Sequence, residues 1–320
     1  MIKYILKRLL VVIPVFIVLT LAVYVLSNMC PGNPVDVIAA ALEGGISQEG
    51  YDALLRAYDL DKPVMYRYGK WLLGVVQGDL GTSMRTKQSV AGMIGERITA
   101  SLSLMGTGMI VAIIVSVSLG VAAAWKPYSF WDNASTFIAF MGSALPSFFL
   151  GLCMLFIFAV KLKWLPTYGM YTANAAHTFS DLVLHLVMPA FLVALQNMGN
   201  IVKQTRGALL EVLNEEYIKT ARAKGLGEKI VLIKHGLRNA LIPVVTVINL
   251  LIPYVIGGSV VIEKIFGWPG IGSLLMISIE SRDYNVIMGV SVMVCVIVLA
   301  CNITLDLLYG VIDPRVSHEN

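Results

Sequence analysis

One charged run divides this chain. Between Lys203 and Arg238 lie eight Lys/Arg and four Glu, and apolar stretches of membrane-spanning length flank the run on both sides. A polar, basic, helix-forming segment in such surroundings must lie in water, and its positive excess places it on the cytoplasmic side. It also has an internal plan. One helical run is broken at Gly225-Leu226-Gly227, and a second ends near Pro243. Glycine ends helices by taking a left-handed conformation, and proline cannot continue them in place. The pattern predicts a helix-turn-helix that stands out of a membrane and suits docking on a soluble partner.

Composition agrees with a membrane protein. Charged residues make up 14% of the chain and hydrophobic ones 57%, with a mean hydropathy of +0.78. Soluble domains carry about 25% charged residues, so a chain this apolar is multi-spanning by default. The net charge of +4 sits in short loops and reads as topology, not nucleic-acid binding. Cys30, Cys153, Cys295 and Cys301 show no metal-ligand spacing and read as small packed residues, so no metal site is expected.

Six segments are long enough to span: about 9–28, 101–124, 134–160, 182–202, 240–262 and 286–308. The first is too long for the apolar core of a signal peptide and no A-x-A site follows it, so it is expected to remain as a span. With the N-terminus inside, the cytoplasmic pieces hold thirteen Lys/Arg and the short external loops four, the bias expected of that orientation. The C-terminal tail, 310–320, is then also cytoplasmic. Between the first two spans, 29–96 forms an external helical segment. Gln48–Leu60 has helical apolar spacing, and Pro63 opens a second helix, VMYRYGKWLLGVVQG, before the turn GDLGTS. Tyr66, Tyr68 and Trp71 suit either its core or an interfacial belt. Pro146, Pro189, Pro243 and Pro253 kink spans three to five, as packing devices or around a path. The polar groups on such a path would be His185, Gln196, Asn197, Thr246, Asn249 and Tyr254; helix-packing hydrogen bonds are their alternative use. Phe266, Gly267, Trp268, Pro269 and Gly270 are too apolar and glycine-rich for a free loop. They suit a tight turn folded back as an external gate, or an aromatic anchor.

The blocks ARAKGL and RNALIP resemble the "EAA" cytoplasmic loop of the permease subunits of bacterial ABC importers. PGNP (31–34), GDLGTS (78–83), FGWPGIGSLL (266–275), SRDY (281–284) and DLLYGVIDPR (306–315) narrow the likeness. In order, they resemble the dipeptide/oligopeptide/nickel permease group, specifically the subunit with the long first external loop. Lys219 and Thr220 stand where the general pattern has an acid and an alanine, whereas Ala221 and Gly225 keep it. The resemblance implies an all-α integral membrane protein of the type-1 importer permease fold: six transmembrane helices with a helical external insertion, the core running over 97–309 and the loop over 203–239. It implies that Tyr217, Lys219, Thr220, Ala221, Arg222, Ala223, Lys224, Gly225 and Leu226 contact a cytoplasmic ATPase. It further implies a second homologous permease, two ATP-binding subunits, an extracellular or periplasmic substrate-binding protein, and a bacterial or archaeal cytoplasmic membrane with its lipid as the setting.

No G-x-x-x-x-G-K-[ST] phosphate loop occurs, so ATP and magnesium are expected on partner subunits and no cofactor on this chain. An intramembrane enzyme would need a catalytic set at membrane depth, and neither H-E-x-x-H nor an acidic partner for Asp306 is present. A secondary transporter would need intramembrane charges for ion coupling, and the spans almost lack them. Peptides are the expected substrate, with nickel or a metal–opine chelate as the alternative. The topology predicts that single cysteines at Ser47 and Thr172 react with an impermeant thiol reagent added outside intact cells, and that one at Glu228 does not. The reverse labelling pattern would overturn the orientation.

Overall fold

The structure is a computed structural model that describes residues 2–29, 32–42, 46–257 and 259–312; within these, side chains are described except at 2–11, 41, 143, 253–257 and 304–312. In chain order its helices are α1 (Ile2–Met29), α2 (Pro34–Ala41), α3 (Gln48–Ala57), α4 (Val64–Val76), α5 (Val90–Trp125), α6 (Phe130–Ala144) and α7 (Ser147–Met154). Then come α8 (Phe179–Leu213), α9 (Glu216–Ala223), α10 (Glu228–Ile230), α11 (Arg238–Gly257), α12 (Val260–Phe266), α13 (Ile271–Glu280) and α14 (Tyr284–Ile312). Two π-helical stretches, Leu155–Lys161 and Val231–Leu237, extend α7 and join α10 to α11. Among the described residues the only β-type pairing is one bridge, Thr82 to Ser89.

Among the described residues, five helical stretches are long and apolar enough to cross a membrane: Val12–Met29, Val90–Trp125, Phe179–Leu213, Glu228–Ile252 and Tyr284–Ile303. The sixth expected span is a bent pair, Phe130–Gly142 with Ser147–Lys161, at 101°. Pro146 explains the bend. It lacks an N–H to continue α6 and pushes Leu145 into extended backbone (φ −102°, ψ 139°). The expected unbroken third span is therefore two helices. The fifth expected span, 240–262, also ends early, and α12 begins afresh with the Ser259 hydroxyl accepting the Ile262 N–H. Pro189, by contrast, sits inside α8 without ending it.

The chain divides into two compact units, Ala100–Pro269 and the pair Met1–Thr99 with Gly270–Asn320. In the first, α8 is the central helix. It buries Met188, Leu192, Val193, Leu195, Ile201 and Leu209 along much of its length. Glycines let its neighbours come close. A Cβ at Gly108 of α5 would lie 2.6 Å from Val193, and one at Gly120 2.6 Å from Thr205. A Cβ at Gly142 of α6 would lie 2.0 Å from the Leu195 carbonyl. These pairs fix direction. Positions 108 and 120 meet 193 and 205, so α5 runs parallel to α8. Asp132 meets Arg206 while Gly142 meets Leu195, so α6 runs antiparallel, as alternating spans require. The Arg206 guanidinium donates to both Asp132 carboxylate oxygens at 2.7 and 2.8 Å, and the Tyr128 N–H adds a third bond at 2.8 Å. Asp132 is buried and fully engaged, the condition under which a buried ion pair holds geometry.

In the other unit the segment 46–99 packs with α1, α13 and α14. GDLGTS and SRDY, 200 positions apart, form one clasp. The Ser83 hydroxyl and the Met84 N–H both donate to the Asp283 carboxylate, the second at 3.1 Å, and the Asn285 amide donates to the Thr82 carbonyl at 2.8 Å. Gly78 and Gly81 take φ of +83° and +81°, which makes the turn that aims Ser83 inward. The PGNP block acts locally: the Asn33 side chain accepts the Val35 and Asp36 N–H groups, and Asp36 accepts the Asn33 N–H in return. Asp283→Ala strands two buried donors. We expect it to cost about 2–3 kcal/mol, read as a lower thermal unfolding midpoint of the purified protein in detergent, with Asp283→Asn losing less.

Candidate functional site

The charged run folds as expected and has a small core of its own. Helix α8 ends at Asn214, whose amide donates back to the Leu210 carbonyl at 2.9 Å. Glu215 then opens α9 in extended backbone (φ −69°, ψ 149°). Ile218 and Ala221, one turn apart, face inward onto Val231, with Leu213 packed beside them. The turn closes through the Lys224, Gly225 and Leu226 N–H groups, which donate to Thr220, Arg222 and Ala221 carbonyls. Gly225 has φ +78° and nothing within 4 Å of its Cβ direction, so the conformation, and not crowding, selects glycine. Gly227 opens α10, and the Val231 N–H bonds to its carbonyl at 3.1 Å.

Two further features seat the loop. Arg222 reaches across the turn to Glu228 with bonds of 2.9 and 3.3 Å. Such an exposed pair contributes little energy but orients the two helices. In the π-helical stretch Gly236 lies where a Cβ would be 3.0 Å from Leu209, and Leu232 is buried with Leu209, Ala124, Ala208 and Ala240. The Asn239 amide donates to the Tyr217 hydroxyl at 2.8 Å. The loop is thus packed directly on the end of α8.

Its outer surface is mixed. Tyr217, Leu226, Ile230 and Ile233 are exposed apolar side chains. Lys219 pairs with Glu216 at 2.6 Å and Arg222 with Glu228, so both cations are engaged within the loop. Thr220, Ala223 and Lys224 are exposed as well. Of the nine residues expected at a partner contact, eight face outward. Ala221 does not: its small size serves the contact with Val231. Ile230 and Ile233 were missed by sequence reasoning, because only the packed orientation of α10 and the π-helical stretch shows which of their apolar residues face out.

Three of the residues expected to line a path bond back within their own helices. His185 Nδ1 bonds to the Asp181 carbonyl at 2.9 Å, Asn197 donates to the Val193 carbonyl at 2.8 Å and Thr246 to the Ile242 carbonyl at 3.3 Å. Each partner lies four residues back on the same helix, the bonding that satisfies a polar side chain inside a helical bundle. Asn249 is buried, Gln196 is half-buried, and the Tyr254 side chain lies outside the described residues.

The segment expected as a gate is built into the structure at its first half. Gly267 ends α12 in the left-handed region (φ +63°) with the Tyr168 ring 2.3 Å from its Cβ direction. The Trp268 indole N–H donates to the Ala100 carbonyl at 2.7 Å and its backbone N–H to the Glu263 carbonyl at 2.8 Å. The Ser101 hydroxyl donates to the fully buried Glu263 carboxylate at 2.8 Å. Phe266 and Trp268 belong to the core that contains Leu104, Met188 and Leu192, whereas Pro269 is exposed. Glu263, read as a loop residue one place beyond a span, is instead a buried acid that fixes this turn.

Comparison with known proteins agrees with this architecture. Residues 116–318 match the family described as "Binding-protein-dependent transport system inner membrane component". The chain belongs to that family. Over 99% of its length it is 42% identical to the oligopeptide transport system permease protein AppB of Bacillus subtilis, all of which is covered. It is 37% identical, over the full length of both chains, to the dipeptide transport system permease protein DppB of Escherichia coli. It is therefore a member of the dipeptide/oligopeptide permease group. A chain of the MetNI methionine ABC transporter in an inward-facing conformation shares the fold, with a TM-score of 0.52 at 16% identity over 70% of this chain and 97% of that one. Such a permease is a multi-pass inner membrane protein, and the all-helical type-1 importer fold expected from sequence is the one observed.

The geometry separates two substitutions. Ala221→Asp buries an unpaired carboxylate against Val231, so it is expected to make the loop sensitive to protease and to abolish coupled ATP hydrolysis. Leu226→Asp is expected to leave the loop protease-resistant and still lose coupling. Limited proteolysis beside an ATPase assay on the assembled complex reads both.

Proposed function

We propose that this chain is one of two permease subunits of an ATP-driven importer of di- or oligopeptides. The observation that carries the proposal is the loop: α9 to α11 projects an apolar and basic surface while its own small core is seated on the end of α8, the helix around which α5 and α6 pack. A soluble ATPase that binds Tyr217, Leu226, Ile230 and Ile233 thereby holds one end of the central helix. ATP and magnesium belong to two such ATPases, a second homologous permease completes the path, and a substrate-binding protein delivers peptide from outside. The loop and both termini face the cytoplasm. Peptide as substrate rests on the names carried by the relatives at 42% and 37% identity. The spans carry few polar side chains, and His185, Asn197 and Thr246 bond within their own helices, which suits a wide path that leaves selection to the binding protein. Phe266–Gly270 closes the outer end of that path, its aromatic half held in place by Ala100 and Glu263.

The test is reconstitution in liposomes with a labelled dipeptide and a labelled oligopeptide, leaving out one component at a time. Uptake is expected only with this chain, a second permease, the ATPases, the binding protein and ATP together. Uptake without the ATPases, or uptake of nickel but no peptide by the complete assembly, would contradict the proposal.

A further inference from the structure

The segment between the first two spans reads from sequence as an external helical segment whose aromatic residues suit either its core or an interfacial belt, and the packing of one of its helices decides between these. Helix α4 packs against α1 inside the apolar stretch of α1. The Tyr68 hydroxyl donates to the Ile17 carbonyl at 3.2 Å and lies 3.0 Å from the Thr20 hydroxyl, itself bonded to the Phe16 carbonyl at 2.8 Å. Ile17, Thr20 and Tyr24 all fall within Val12–Met29, whose mean hydropathy is 2.2. Tyr24, Tyr68 and Trp71 form one aromatic cluster, with ring centroids 5.6 to 6.3 Å apart. Met288, one turn inside α14, is buried in the same cluster. Its own stretch, Tyr284–Ile303, has a mean hydropathy of 2.7. Two helices of membrane-spanning character therefore set the depth of α4.

The opposite face of α4 is apolar and open. Met65, Leu73 and Val76 are 62%, 65% and 79% exposed, and Tyr66 is exposed beside them. The charges of the helix, Arg67 and Lys70, lie in its first half and are held back toward the preceding loop: Arg67 donates to the Lys62 carbonyl at 3.2 Å and Lys70 pairs with Asp59 at 2.5 Å. The last six residues, Trp71 to Val76, carry no charge. On α1, Val18 and Leu19 are likewise exposed apolar side chains. An exposed apolar face on a helix at this depth needs a cover, and an amphipathic helix with cations at one edge is the form that lies in a bilayer interface.

We propose that α4 is an interfacial helix embedded in the lipid leaflet at the C-terminal end of α1, the outer leaflet when the N-terminus is inside. Leu73 and Val76 rest on acyl chains, and Lys70 and Tyr66 lie at headgroup level. The segment is thus anchored in lipid as well as clasped through Asp283. Its occupant is phospholipid, not the binding protein and not the second permease.

Site-directed spin labelling tests this. Single cysteines at Met65, Leu73 and Val76 are placed in a cysteine-free background of the full assembly in lipid nanodiscs. Val18 on α1 serves as the lipid-facing reference and Glu49 on α3 as the water-facing one. Collision with oxygen reports lipid, and collision with a neutral nickel chelate reports water. Retained peptide-stimulated ATP hydrolysis by the assembly shows that each labelled variant is folded. Leu73 and Val76 are expected to match Val18, with an oxygen-to-nickel ratio several-fold above that of Glu49. A ratio like that of Glu49 would overturn the proposal in favour of a solvated cap. Low collision with both reagents would overturn it in favour of a protein cover.

Discussion

Backbone contact between helices at glycine is the constraint on which the bundle depends. At Gly108, Gly120 and Gly142 a methyl group has no room against α8, and at Gly142 it would fall on the Leu195 carbonyl itself. Within a bilayer there is little hydrophobic gain in bringing two apolar helices together, so close packing and polar contacts must hold them. Here they do so jointly. Gly142 sets the α6–α8 separation at one crossing, and the Asp132–Arg206 pair sets it again at the end from which the loop projects. Two fixed points make α6 and α8 one rigid piece. Since α9 begins directly after α8 and its core rests on Leu213, a displacement of the loop becomes a displacement of that pair.

Much of this was legible from sequence, for local reasons. The spans follow from apolar runs, α3 and α4 from helical spacing and Pro63, and the loop break from Gly225, which carries its signal in a single residue. Long-range choices were not legible. Pro146 and Pro189 are both prolines in apolar segments, yet one ends a helix and the other does not. The difference lies in the neighbouring turns, which no local pattern specifies. Gly106 and Gly108 look equivalent; only Gly108 meets α8. Asp283 gave no sign of its partner 200 residues away. Ala221 was expected at a partner surface and proves to be loop core, because a helix of eight residues has too few apolar positions to declare its buried face.

The buried acids share a logic. Asp132 sits in the first turn of α6, Asp283 just before α14 and Glu263 within the short α12, and each accepts bonds from groups on a distant segment. A carboxylate with such partners is bonded, whereas one in mid-span without them would carry its desolvation cost alone. They join segments that apolar packing would leave free to slide, and the spans between them stay almost without charge.

The central claim is that α6 and α8 move as one body when the loop is driven. Dipolar EPR between labels at Phe137 and Lys203, both on exposed positions, measures this in the resting and ATP-trapped assembly. One distance distribution, the same in both states, is the expected result. A shift between the states would show that α8 slides past α6, and coupling through a rigid pair would be wrong.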